Sequence, residues 1–358
     1  MKPADVIRED IRALSGYRVP DASGMVKLDA MENPYGLPDA VRQRIAAVVA
    51  AAEINRYPDA SAARLKTTLR EVLEIPGEAE LVLGNGSDEI IQMLVLATAK
   101  PGASVLGLEP SFVMFRLVAA FCGMRYVGVP LRADFSLDTE RTLAAIEEHQ
   151  PSLVFIAYPN NPTGNLFDTS AIQRVIDAAS GLVVIDEAYH AFAGRSYMPA
   201  LARAPNLLVM RTLSKLGLAG LRLGLLAGAG EWLEQVDKVR LPYNVSVLTQ
   251  LVAEEVLRHR VLLDEQAHAI RSERSRLYGA LERMPDTSPF PSEANFILFR
   301  TPGAERVFLG LRERGVLVKN LHGSHPALES CLRVTVGTPG ENERFLEALQ
   351  DCLSFTRA

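Results

Sequence analysis

From about residue 81 onward, short apolar runs alternate with stretches of helical periodicity. ASVLGL (103–108), RYVGVPL (125–131) and SLVFIAYP (152–159) read as strands, with FRLVAAFCGM (115–124) and TERTLAAIEEH (139–149) as the helices between them. The rhythm continues through GLVVIDEAY, NLLVMRTLSK and LRLGLLAG, which predicts a mainly parallel sheet covered by helices on both faces. Past LPYNVSVLTQ the character changes. A long polar helical region, residues 247 to about 284, leads to shorter strands at ANFILFR, GVLVKN and CLRVTVG and to a terminal helix, ENERFLEALQDCL. The expected organisation is a large α/β domain (39–243) and a small α+β C-terminal domain (244–358), with an N-terminal arm (1–38) packing on the small domain.

Ligands in open α/β sheets bind outside the carboxyl ends of the strands, so the polar residues that follow the apolar runs are the candidates. Four clusters stand there. GNGSDE (84–89) follows LVL and opens a helical pattern, with Ser87 as the expected N-cap; its amides either close a capped turn or hold a phosphate. In IDEAY (185–189), Asp186 either caps a local turn or faces a cation in the crevice, and Tyr189 offers a phenol to the same side. NNPTG (160–164) is by itself a turn, in which Asn161 can donate to a ligand oxygen and the Asn161–Pro162 bond is a candidate for cis geometry. In TLSKLGLAGLRLG (212–224), Lys215 sits among small and apolar neighbours. Gly217, Ala219 and Gly220 permit close approach, and Ser214 and Arg222 supply phosphate donors. Lys215, desolvated beside Arg222, is left as a nucleophile with a lowered pKa.

Composition excludes several classes. Hydrophobic residues at 48% and charged residues at 23% are the balance of an ordinary soluble globular protein. The net charge of −5 and the absence of any Lys/Arg block argue against a nucleic-acid binder, so an anionic ligand needs a local site. Cys122, Cys331 and Cys352 are widely spaced and include no CxxC pair, so neither a disulfide framework nor a metal site is expected. The first residues lack the apolar core of a secretory signal, and no apolar run approaches the roughly 20 residues that cross a bilayer. A cytoplasmic location is the expectation.

Taken with LDAMENPYG (28–36), RYPD (56–59), PSFVMF (110–115), SEANFILF (292–299) and CLRVTVGT (331–338), the clusters resemble the fold-type I pyridoxal-phosphate aminotransferases, and within them the histidinol-phosphate aminotransferase family. The resemblance spans nearly the whole chain, and SKLGLAGLRLG is its most specific part. It implies that Lys215 is the catalytic lysine, which bonds pyridoxal 5'-phosphate and moves the proton at the substrate Cα. By the same resemblance Asp186 pairs with the pyridine nitrogen, Asn161 and Tyr189 bond the phenolic oxygen, and Phe112 stacks on the ring. Ser87, Asp88, Ser214 and Arg222 form the phosphate cup, with Tyr57 reaching in from the neighbouring subunit of a homodimer. Arg333 is implied for the substrate's anionic group, Tyr17 for closing over the substrate, and Asn33 and Lys319 as further substrate contacts.

The implied reaction is transamination between L-histidinol phosphate and 2-oxoglutarate, giving imidazole-acetol phosphate and glutamate, a step of histidine biosynthesis. The alternatives are threonine-phosphate decarboxylase, an aromatic amino acid aminotransferase, or a non-catalytic module on the same fold. Two positions depart from the family pattern. Lys319 replaces an arginine, turning a bidentate contact into a point charge, and Met31 stands where relatives usually have Asn. Both are expected to lie clear of the cofactor.

Overall fold

The computed structural model describes residues 1–16 and 19–354. Its strands are β1 (Val26–Leu28), β2 (Glu80–Gly84), β3 (Ser104–Glu109), β4 (Arg125–Pro130), β5 (Leu153–Ala157), β6 (Leu182–Asp186), β7 (Leu207–Thr212), β8 (Gly224–Gly228), β9 (Ser288–Pro289), β10 (Phe296–Arg300), β11 (Val316–Asn320) and β12 (Cys331–Thr335). They form a larger sheet in the order β2-β8-β7-β6-β5-β3-β4 and a smaller one in the order β1-β11-β12-β10-β9.

Every residue of β5, β6 and β7 is buried, as strands covered on both faces must be. Successive side chains enter different cores. Val154, Ile156, Val183, Ile185 and Val209 pack with helices Ala63–Val72 and Thr169–Ala178, whereas Leu153, Phe155, Val184 and Met210 pack with helices Ser87–Thr98 and Met114–Phe121. The period of two therefore builds a sheet between two apolar layers.

The rhythm breaks at β8, which runs antiparallel to both of its neighbours. A parallel crossover needs roughly a dozen residues or more, usually including a helix. Residues 213–223 supply only a π-turn (Ser214–Leu218) and a 3₁₀ turn (Ala219–Leu221), so the chain doubles back, with the Leu213 amide donating to the Leu223 carbonyl at 3.0 Å.

The polar region after residue 246 forms two helices, Val247–Leu257 and Arg260–Arg283. Ala253, Val256 and Leu257 enter the core of the larger sheet, while Ala267, Ile270, Leu277 and Leu281 enter the core of the smaller one. The chain breaks between the two helices at Arg258–His259, and Leu263, in the first turn of the second helix, still packs in the core of the larger sheet. From the N-terminal arm, β1 adds a parallel strand to the edge of the smaller sheet, beside β11. Among the described residues no helix is long and apolar enough to cross a membrane.

Candidate active site

The carboxyl ends of β5, β6 and β7 open on a cleft of about 560 Å³ lined by Ser87, Asp88, Phe112, Asn161, Asp186, Tyr189, Thr212, Ser214, Lys215 and Arg222, with Met31 facing them from the N-terminal segment. Lys215 reaches it from the π-turn. Gly217, with φ near 115°, allows the turn to close, and a Cβ there would come 3.0 Å from Asn33 Nδ2. The Lys215 amine donates to the Ala30 carbonyl at 3.0 Å. Burial pushes its pKa down to about 8, and the positive charge of Arg333 assists. The sequence had pointed to Arg222 as the depressing cation; Arg222 also contributes, but less than Arg333.

Asp186 ends β6 in the floor of the cleft. One carboxylate oxygen accepts the Ala188 amide at 3.0 Å, so the local turn forms while the side chain also lines the cleft. Burial raises its pKa to about 7. The next residue, Glu187, belongs to a different structure: buried, it accepts from Arg211 Nε at 2.9 Å, and Arg211 Nη2 also donates to Ser196 at 2.8 Å. Two adjacent acids thus face different environments, Asp186 lining the cleft and Glu187 paired with Arg211.

At the other edge of the cleft, the helix Ser87–Thr98 begins, with Gly86 as its N-cap, so Ser87 is the first helical residue and not the cap expected from the sequence. Gly86 has φ near 85°, and a Cβ there would fall 2.6 Å from Arg222 Nη2. The glycine leaves room for the guanidinium at the helix N-terminus. Arg222 also donates to Asp88 at 3.3 Å and to Ser214 Oγ at 3.4 Å. Amides at a helix start, a hydroxyl and an arginine are a donor set for a phosphate. A buried carboxyl suits a pyridinium, and a half-buried amine of low pKa suits a carbonyl. The residues present therefore fit pyridoxal phosphate.

A second cleft, of about 1130 Å³, adjoins the first and shares Met31, Phe112 and Asn161 with it. Arg333 on β12 and Lys319 on β11 stand opposite each other across the antiparallel register and both line it. Arg333 donates to Asn161 Oδ1 at 2.6 Å and to the Asp29 carbonyl at 3.0 Å, with its guanidinium 5.1 Å from the Phe296 ring centre. Asn161 lies between the cis Tyr158–Pro159 bond and its own cis bond to Pro162. Burial, with Arg333 next in effect, lowers the Lys319 pKa.

The model of the aminotransferases of class I and II matches residues 23–349. This chain belongs to that family. It is 54% identical over 348 residues to histidinol-phosphate aminotransferase 2 of Cupriavidus pinatubonensis, covering 96% of this chain and 95% of that one. Among solved structures, the histidinol-phosphate aminotransferase of Sinorhizobium meliloti in complex with pyridoxal-5'-phosphate superposes with a TM-score of 0.88 at 24% identity, covering 98% of each chain. The L-threonine-O-3-phosphate decarboxylase of Porphyromonas gingivalis superposes at 0.79 with 20% identity, over 92% of this chain and 99% of that one. Those two structural likenesses establish the fold alone.

Some residues of this aminotransferase stand elsewhere than the sequence suggested. Met31 lines both clefts, and its sulfur accepts the Tyr189 hydroxyl at 3.5 Å. Its φ near 55° is a conformation for which Asn is better suited than Met. Asn33 lines neither cleft; it donates to the Leu216 carbonyl at 3.4 Å and to Gln266 at 3.0 Å, tying the arm to the lysine turn. Tyr57, 80% exposed, stacks on Tyr243 at 4.4 Å and lines neither cleft of its own chain. Tyr17 lies outside the described residues. Thr212, which donates to Ser214 Oγ at 2.9 Å, and Glu109, Arg116, Tyr126 and His325 in the second cleft had not been singled out. Glu109 and Thr212 were accessible by the strand-end rule, since each ends an apolar run; His325 sits in a loop with no periodic signal.

Proposed function

We propose that this aminotransferase carries pyridoxal 5'-phosphate in the first cleft and transfers the amino group of L-histidinol phosphate to 2-oxoglutarate, yielding imidazole-acetol phosphate and glutamate in histidine biosynthesis. The chemistry rests on one observation: the buried Asp186 and the half-buried Lys215, both with pKa values displaced toward neutrality, line the same cleft. The substrate rests on the 54% identity to a histidinol-phosphate aminotransferase over nearly the full chain.

When bound, the cofactor supplies an electron sink for the charge that develops at the substrate Cα. Asp186, ionised beside the pyridine nitrogen, holds a proton there. Asn161 and Tyr189 orient the ring through its phenolic oxygen, and Phe112 covers a face. The Ser87 and Asp88 amides, Ser214 and Arg222 anchor the phosphate. Lys215, able to give and take a proton near neutral pH, moves it at the substrate Cα. Arg333 and Lys319 draw in the anionic group, the histidinol phosphate phosphate in one half-reaction and a glutamate carboxylate in the other.

The working unit in this reading is a cytoplasmic homodimer in which Tyr57 completes the partner's phosphate site. Exposed apolar side chains at Ile54, Tyr57, Leu241 and Tyr243 support it, because surface of this kind is commonly covered by a partner.

The test is the visible spectrum of the holoenzyme. Histidinol phosphate alone should shift the cofactor band to that of the aminated form, and 2-oxoglutarate should restore it. A band moved by threonine phosphate or aromatic amino acids, but not by histidinol phosphate, would overturn the substrate assignment.

A further inference from the structure

The second cleft holds a carboxylate as well as cations, although its ligand must be anionic. Glu109 ends β3, and its Oε1 is bonded to Arg116. Its Oε2 faces His325 Nε2 at 3.9 Å, beyond hydrogen-bonding reach. Both side chains line the cleft. The His325 Nδ1 accepts the Ala327 amide at 3.1 Å, so a neutral ring carries its proton on Nε2. An acceptor and a ring N–H donor thus stand close together without bonding each other. Phe112, Leu321 and Leu328 supply apolar lining to the same cleft. A neutral imidazole is the complement: a flat ring with one N–H donor and one bare nitrogen acceptor.

Resting on the reading proposed above, the geometry points to Glu109 and His325 as the residues that recognise the imidazole of histidinol phosphate. Glu109 Oε2 accepts the substrate's ring N–H, and His325 Nε2 donates to its other nitrogen. Arg116 holds the carboxylate in place. The pair also discriminates. Glutamate brings a carboxylate in place of the imidazole and meets the like charge of Glu109, so the arrangement favours the imidazole substrate wherever the two compete.

The experiment compares two ligands on the holoenzyme and its variants by spectral titration: histidinol phosphate, and O-phosphoethanolamine, which has the amine and phosphate but no ring. In Glu109→Gln the ratio of the two Kd values, histidinol phosphate over O-phosphoethanolamine, should rise about tenfold or more, the scale of a lost charge-assisted hydrogen bond. The ratio of kcat/KM for histidinol phosphate over that for glutamate should fall in parallel. His325→Asn keeps an acceptor for the Ala327 amide while removing the ring N–H, and should move both ratios in the same direction, about threefold or more. Equal losses for both ligands, or unmoved ratios in both variants, would overturn the assignment. Failure of the underlying substrate reading has a separate signature, since the unmodified enzyme would then leave histidinol phosphate unconverted.

Discussion

At the scale of single residues, the site is governed by two titratable groups, the buried Asp186 and the half-buried Lys215, displaced in opposite directions. Lys215 is the simpler case: Lys215→Ala should abolish both turnover and the lysine-linked visible band, and steady-state activity at the normal level would rule out its role. Asp186 has a pH signature. Its folded pKa lies near 7, above the ordinary 3.8, so the fold penalises the ionised form. That cost sets in as pH rises above the unfolded value and is complete above 7. Lys215 has a folded value near 8, below 10.5, so its cost is full below pH 8 and is relieved only as pH rises toward 10.5. Between pH 5 and 8 the lysine contribution is therefore nearly constant and the aspartate contribution changes. Cofactor-free Asp186→Asn should be more stable than the cofactor-free parent at pH 8, by up to roughly 4 kcal/mol, with the advantage shrinking at pH 5. Urea unfolding at the two pH values checks this, and an advantage that grows on acidification would refute it. The same variant should bind the cofactor more weakly, because the pyridinium loses its counter-charge.

At the scale of elements, the lysine turn depends on backbone conformation more than on side-chain identity. Gly217 occupies a φ that a Cβ penalises, and that Cβ would press on the Asn33 amide. Gly217→Ala should cost about 1–3 kcal/mol in urea unfolding and reduce cofactor occupancy, since the strain falls two residues from Lys215. Full occupancy with unchanged stability would show that the turn absorbs the methyl group. The turn was recognisable in the sequence as small residues around a lysine. Its consequence for β8 was not, because strand direction follows from connection length and pairing, which the strand's own apolar residues do not encode. The helical region after residue 246 behaves likewise: its periodicity was visible, but not that it passes from the core of the larger sheet, through Leu263, to that of the smaller one from Ala267 onward.

At the scale of the whole molecule, the prediction concerns Tyr57. Its ring is exposed and stacked on Tyr243, away from the clefts of its own chain. If it serves the partner, Tyr57→Ala and Lys215→Ala chains should complement each other. A mixed dimer then carries one site with both Lys215 and the opposing Tyr57, and mixing under subunit exchange should raise activity above that of either variant alone. Activity equal to the average of the two separate variants would show that each chain completes its own site.

The sequence by itself determined which runs become strands, which residues end them, and which lysine stands among small residues beside the strand ends. These are local matters, set by side-chain periodicity, turn chemistry and strand-end position. Tertiary structure alone decided that Met31 enters the first cleft, that Asn33 braces the lysine turn, that Arg333 meets Asn161, and that Glu109 faces His325. Each pairs residues far apart in the chain. Their meeting depends on how two sheets and the arm pack together, and packing minimises the free energy of the whole fold and not of any one segment.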